Sequence, residues 1–392
     1  MSTSYKGWRK TVLLLVLIVP TLVSITLISL YPIFYNVYIS FTNRSRFHYQ
    51  PPESIWRCDP ETMGQYCWQE PLFGNYIRLF GPLLQPRALL AWGKLLLLFA
   101  PFALIYVQKD RRREPRLSSD TTDTSPMWWW LAGLAASALL WFLLDVRSAV
   151  TLLLDTGDFF VVMFRTFLYV LVCIPFFILV GGILALILNN RAIQGKGVFR
   201  TLLILPWAIP SYITAEIWKF FFQEQGAINQ LLTLVGVQGP TWLQHDALAF
   251  VSVVIINIWL SYPFFMTVIL GGLQAIPLEL YDAADVDGAT WRQKLTHVTI
   301  PHLRPTVMPA IVLSAITTFQ MFNMVWLVTE GGPIRGAGKP GATQFVMIHA
   351  YKMFRTDNYA ASGAYAVVLF LFLFGATLLS LKFTRIVQGV EE

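Results

Sequence analysis

Long apolar runs separated by short polar stretches set the pattern of this chain. After Lys6, Arg9 and Lys10, hydrophobic positions continue from Thr11 to about Ser40. That is longer than the roughly 7 to 15 residue core of a cleaved leader, and no small-residue cleavage site precedes Tyr31, Pro32 and Phe34. An uncleaved first membrane span is expected. Further runs occupy about 88 to 107, 127 to 146, 159 to 189, 197 to 222, 248 to 273, 306 to 328 and 361 to 382. Each approaches or exceeds the roughly 20 residues a helix needs to cross a hydrocarbon core. The expected class is therefore an all-α polytopic membrane protein with about eight transmembrane helices.

The polar stretches orient the spans. With the N-terminus inside, short cytoplasmic segments collect Lys6, Arg9 and Lys10, then Lys109, Arg111, Arg112, Arg113 and Arg116, then Arg191, Lys196 and Arg200, then Arg292, Lys294 and Arg304, and finally Lys382 and Arg385. Cations concentrate on the cytoplasmic side of membrane proteins, so both termini are expected there, in a cell membrane. Lys94 and Arg165 each fall about six residues inside an expected outer boundary, within snorkelling reach of the headgroups. Prolines at 20, 175, 206, 210, 263 and 309 fall within the apolar runs, and kinks of this kind are tolerated where neighbouring helices or a water-lined cavity satisfy the freed carbonyls.

Composition excludes the ordinary soluble classes. Hydrophobic residues make up 56% of 392 positions and charged ones 13%, against roughly 25% charged in a globular protein. A net charge of +7 follows from the cytoplasmic loops and calls for no nucleic acid. Five histidines lack metal-ligand spacing, so no metal site is expected. Cys58 and Cys67, nine positions apart in an outer loop, are expected to form a disulfide on the oxidising side of the membrane.

Between the sixth and seventh runs lies a polar loop, Ile276 to Pro305, that is too long for a connector. Leu278, Tyr281, Ala284 and Asp285 follow helical spacing, Gly288 interrupts, and Trp291, Leu295 and Val298 resume it up to Ile300 and Pro301. Two short helices joined at a glycine are expected at the membrane surface, resting on lipid or docking a partner.

The wording of this loop resembles a known family. Asp282, Ala283, Ala284 and Gly288, followed by Ile300 and Pro301, are similar to the EAA loop of permease subunits in binding-protein-dependent ABC importers. The stretch Leu273 to Thr290 resembles the carbohydrate-uptake branch, the group of the larger maltose permease subunits. In chain order, so do Phe41 to Asn43, Gly74 to Phe80, Gly197 to Pro210, Gly226 to Leu232, Thr241 to Leu243, Trp259 to Met266 and Val328 to Pro333. The resemblance covers about 1 to 80 and 158 to 392. Three departures stand out: Asp282 replaces glutamate, Arg165-Thr166 replaces an asparagine-threonine pair, and residues from about 81 to 157 are inserted.

The resemblance implies an ABC importer type I permease core, divided as an N-terminal span (1 to 42), an outer loop (43 to 87), an inserted hairpin with a basic inner turn (88 to 157) and a five-helix core (158 to 392). It implies a second permease subunit, two ATPase subunits that hold the ATP and Mg, an extracytoplasmic solute-binding protein and a surrounding bilayer. No cofactor is expected on this chain itself. The segment Gly331 to Pro340 fails as a phosphate loop, with Pro333 where glycine and Pro340 where serine or threonine is required, so no ATPase activity of its own is expected. Coupling to the ATPase is implied for Leu278, Glu279, Tyr281, Asp282, Ala283, Ala284, Gly288 and Pro301. A sugar or related polyol is implied as solute.

Polar and aromatic residues beside Pro263 and on the seventh run suggest where it would bind: Asn257, Ser261, Tyr262 and Phe264, with Thr317, Thr318, Gln320 and Asn323. By the same resemblance, Ser261, Phe264 and Thr318 fall where the larger maltose permease subunits place sugar-contacting residues. An ion-coupled secondary carrier is the alternative, although it would be expected to show internal repeats and intramembrane carboxylates.

Overall fold

A computed structural model describes residues 8–50, 64–111, 127–190, 192–336 and 339–388. The described chain is helical except for one short parallel strand pair, β1 (His48–Gln50) with β2 (Gly64–Gln65). The N-terminal span runs as α1 (Trp8–Ile25), a π-helical turn at Thr26–Leu30 and α2 (Tyr31–Ser40). The widened turn lies just before Pro32, whose ring would crowd the preceding turn of a regular helix. From Leu14 to Val37 exposed apolar side chains cover most of this helix, as a lipid-facing span requires.

Beyond it the segment that follows is tied down by polar side chains. Asn75, on α3 (Gly74–Phe80), donates to the carbonyls of Ser40 and Thr42 at 2.9 Å each. Asn43 and Cys67 exchange a reciprocal pair, Asn43 N to Cys67 O at 2.9 Å and Cys67 N to Asn43 Oδ1 at 2.7 Å. The motif segments Phe41 to Asn43 and Gly74 to Phe80 are thus two halves of one contact. Cys67 is buried there, while Cys58 lies outside the described residues.

The inserted region departs from two straight spans. The run at 88 to 107 is split into α4 (Pro86–Leu97) and α5 (Ala100–Arg111). Pro101 explains the split, since the residue before a proline resists the α conformation while proline itself suits a helix's first turn. The next run forms α6 (Met127–Leu143) but stops where Asp145 turns left-handed at φ 44°. There the chain bends by 69° into α7 (Val146–Thr156). The small residues Ala88, Ala91 and Ala149, with Leu153, let α4 and α7 pack closely. Both are amphipathic, with Arg87 and Lys94 on one and Arg147 and Asp155 on the other.

Among the described residues four helices are long and apolar enough to cross a membrane, and three bent pairs raise the number to at most seven if each counts as one span. The all-α polytopic class stands, with at most seven candidate spans among the described residues against about eight expected, and the 88 to 107 run, broken into α4 and α5, is not one of them. At the centre α8 (Asp158–Asn189) lies along α12 (Asp246–Ala275). Gly181 makes this possible, because a β-carbon there would come within 2.7 Å of the Met266 backbone nitrogen. Two flanking spans are broken. One is α9 (Lys196–Ala208) with α10 (Ser211–Phe221), bent by 90°, and between α10 and α12 the chain forms α11 (Ala227–Leu234).

After α12 come α13 (Leu278–Val286) and α14 (Trp291–Gln293). A π-helical stretch, Lys294–Thr299, then joins α14 without interruption to α15 (Ile300–Phe319). The second surface helix therefore does not end at Pro301 as expected but runs on into the span. The widened turn again lies immediately before a proline. The second broken span is completed by α16 (Asn323–Thr329), set at 43°. A loop leads to α17 (Val346–Arg355) and then to α18 (Tyr359–Gln388), which packs against α2 at Gly363.

That loop is built into the protein, with Pro340 to Val346 buried. Arg165 donates to the carbonyls of Pro340, at 3.1 Å, and Gly341. Thr166 Oγ1 accepts from Val346 N at 3.1 Å. Arg165 thus reaches backbone carbonyls, not headgroups.

Within α17, which is not among the spans, His349 is buried against the ring of Tyr365 and bonded to the Gln344 amide at 2.7 Å. Burial, then the nearby Lys352 charge, pushes its pKa down to about 4, below an ordinary value near ~6.5. The unfolded chain therefore binds a proton that the folded one refuses, and stability present above about pH 6.5 is lost as pH falls toward 4. The cost reaches roughly 3 kcal/mol. Melting temperature measured between pH 7.5 and 4.5 is expected to fall more steeply in the wild type than in His349→Gln.

Candidate solute cavity and coupling helix

Both broken spans open onto the same place. A cavity of about 540 Å³ lies between the break from Pro206 to Ser211, the middle of α12 and the break at Gln320 to Asn323. Asn257 and Ser261 line it from α12, and Thr317, Gln320 and Asn323 from the other side. Asn257 is held in place: Ser261 Oγ donates to its Oδ1 at 3.3 Å, and its Nδ2 donates to Cys173 Sγ at 3.7 Å. Gln320 and Asn323 are exposed, and their side-chain amides make no hydrogen bond among the described residues, so they are available to a ligand.

Three expected residues lie off the lining. Tyr262 is buried with its ring 6.0 Å from that of Trp259, Thr318 is buried, and Phe264 stands behind Trp207 at 6.3 Å between ring centroids. Trp207 and Phe322 are the aromatic residues that line the cavity. The sequence carried a signal for Trp207, which sits between Pro206 and Pro210. A span with two prolines four residues apart cannot stay regular, and a broken helix at membrane depth is tolerated where it faces a cavity. Among the described residues no acidic or basic side chain lines the cavity.

At the other end of α12 the chain turns through Ile276 and Pro277 into α13. Its faces are distinct: Tyr281 and Ala284 turn inward, whereas Glu279, Asp282, Ala283 and Val286 share the outward face at helical spacing, with Leu278 also exposed. Val286 is 88% exposed. Tyr281 OH bonds Thr299 Oγ1 at 3.0 Å, and Lys294 pairs with Asp285 at 2.6 Å. Tyr281, expected among the residues that couple to the ATPase, thus helps fix α13 to its own chain.

Gly288 ends the helix with φ 71°, and Ala289 N closes back on Ala284 O at 2.9 Å. A β-carbon at Gly288 would meet nothing within 4 Å, so the positive φ alone calls for glycine. Thr290 and Gln293 then cap the next helix reciprocally. Pro301 is exposed in the first turn of α15.

Residues 177–391, more than half of the chain, match the family model described as "Binding-protein-dependent transport system inner membrane component". The chain belongs to this family. The match runs from the middle of α8 through both broken spans, α13 and α18. Permease subunits of this kind lack ATPase activity.

The permease is 32% identical over 233 residues to the trehalose/maltose transport system permease protein MalF of Thermococcus litoralis, covering 59% of this chain and 77% of the relative. It is 33% identical over 235 residues to the maltose/maltodextrin transport system permease protein MalF of Klebsiella aerogenes, covering 58% of this chain but only 46% of that one. Among solved structures, a bacterial alginate ABC transporter in complex with an alginate pentasaccharide-bound periplasmic protein matches with a TM-score of 0.53 at 20% identity. That match covers 68% of this chain and 96% of that one, which establishes the shared fold.

Proposed function

We propose that this permease forms half of the translocation path for a neutral sugar or related polyol, and that the cavity between the broken spans is where the solute passes. One observation carries the reading: a cavity of about 540 Å³ presents amides and hydroxyls at Asn257, Ser261, Thr317, Gln320 and Asn323, aromatic rings at Trp207 and Phe322, and no ionised side chain among the described residues. Sugars offer hydroxyl edges to amides and apolar ring faces to aromatics. A charged solute would call for a counter-charge at this depth. The maltose and trehalose relatives support the same class, and family membership leaves the ion-coupled alternative without support.

The solute would arrive on an extracytoplasmic binding protein. A second permease would complete the path, and two separate ATPase subunits would bind ATP and Mg and dock on the outward face of α13. The cations flanking the spans favour both termini and α13 on the cytoplasmic side of a bacterial or archaeal cell membrane. Uptake of labelled maltose or trehalose by cells expressing the transporter, challenged with unlabelled solutes, tests the solute class. Neutral disaccharides are expected to compete and charged solutes of equal size to be ignored; the reverse order would refute it.

A disulfide between Cys58 and Cys67 is also proposed, closing a short outer loop worth about 2 to 3 kcal/mol. Alkylation without reduction, read by mass spectrometry, is expected to label neither; labelling of both would refute the pairing.

A further inference from the structure

Beside the coupling helix, α8, α12 and α15 enclose a second cavity of about 290 Å³. Its walls are apolar: Gly182 and Leu186 of α8, Ile269 of α12, Leu303 and Met308 of α15. On α15 the lining extends from Ile300 to Ile311, about 16 Å at 1.5 Å per residue. That is roughly half of a ~30 Å hydrocarbon core, or one leaflet. Walls of this kind offer nothing to a sugar.

One lining residue is different in kind. Arg304 is exposed, with no ion pair or side-chain hydrogen bond among the described residues. It stands about one helical turn from the end of α15 that meets the coupling segment. Thr299, whose hydroxyl holds Tyr281 of α13, lines the same space.

We propose that this groove holds one acyl chain of an anionic phospholipid from the leaflet on the coupling-loop side, with the lipid phosphate paired to Arg304. The depth matches a single leaflet. The apolar walls match a hydrocarbon chain, and the unpaired guanidinium lies where a phosphate would need a bidentate donor. Thr299 lines the same space on the headgroup side of Arg304, so the head of the bound lipid rests beside it. It would therefore steady the hydroxyl pair that orients α13, making coupling sensitive to the lipid.

The test uses the whole transporter, assembled with its permease and ATPase partners and reconstituted in phosphatidylglycerol or phosphatidylcholine vesicles. Arg304→Gln removes the charge, and Gly182→Leu fills the groove where a β-carbon has only Ile269 nearby, at 3.7 Å. Native mass spectrometry after detergent exchange is expected to show wild type retaining phosphatidylglycerol over phosphatidylcholine. Arg304→Gln should cut that retention about fivefold, the weight of one basic residue at a membrane surface. Gly182→Leu should lower retention of both lipids; wild type is expected to hydrolyse ATP faster in phosphatidylglycerol than in phosphatidylcholine, and that difference should disappear in either variant. If Gly182→Leu does not assemble, Arg304→Gln decides alone, since it leaves the walls intact. Unchanged retention and lipid response in Arg304→Gln would overturn the proposal. So would a photo-crosslinker at Met308 that captures the second permease and no lipid.

Discussion

Gly288→Val is expected to abolish ATP-driven uptake while the permease still inserts into the membrane. Gly288 holds φ 71° between α13 and α14, and an L-residue in the left-handed region costs roughly 1 to 2 kcal/mol, with a β-branched one at the upper end. At about 2 kcal/mol the loop would adopt its native turn roughly 30-fold less often. Two contacts depend on that turn, the Asp285 to Lys294 pair and the Tyr281 to Thr299 bond, because it sets α13 against the π-helical stretch. Asp282→Lys attacks the same junction differently, reversing a charge on the outward face without touching the turn. Copurification of the ATPase subunits should drop in both, with insertion and expression unchanged. Wild-type uptake and normal copurification in both variants would remove the coupling role from α13.

The second large effect is expected in the cavity. Gln320→Ala removes an exposed amide with no other partner among the described residues, costing about 0.5 to 1.5 kcal/mol per lost hydrogen bond. Trp207→Ala removes an aromatic face that is 60% exposed and lies at the 90° break. Together they should lower apparent solute affinity by tenfold or more, with ATPase copurification untouched. Phe264→Ala should do less than Trp207→Ala, because Phe264 stands behind the tryptophan and does not line the cavity. Equal uptake kinetics in the wild type and in Gln320→Ala would place the solute path elsewhere.

Much of this was legible in the chain, and the failures share a cause. The apolar runs located the core spans, and Gly288 marked the helix junction because a positive φ leaves a glycine signature. Periodicity also grouped Leu278, Tyr281, Ala284 and Asp285, yet it could not say which side of a short helix faces its own chain. The structure turns Tyr281 and Ala284 inward and leaves Glu279, Asp282, Ala283 and Val286 outward. In the insertion, run length averaged the polar and apolar faces of α4, so a helix broken before Pro101 passed for a span. Arg165 was read from its distance to a boundary, but its acceptors lie 175 and 176 positions away in sequence. Trp207 and Phe322 come from different broken spans, and only folding brings them to one cavity.

The most direct measurement is uptake of labelled solute into vesicles carrying the complete transporter, with ATP supplied on the ATPase side and binding protein on the other. Uptake requiring both, and insensitive to dissipation of ion gradients, is the predicted result. Accumulation driven by an ion gradient in the absence of ATP would contradict the account.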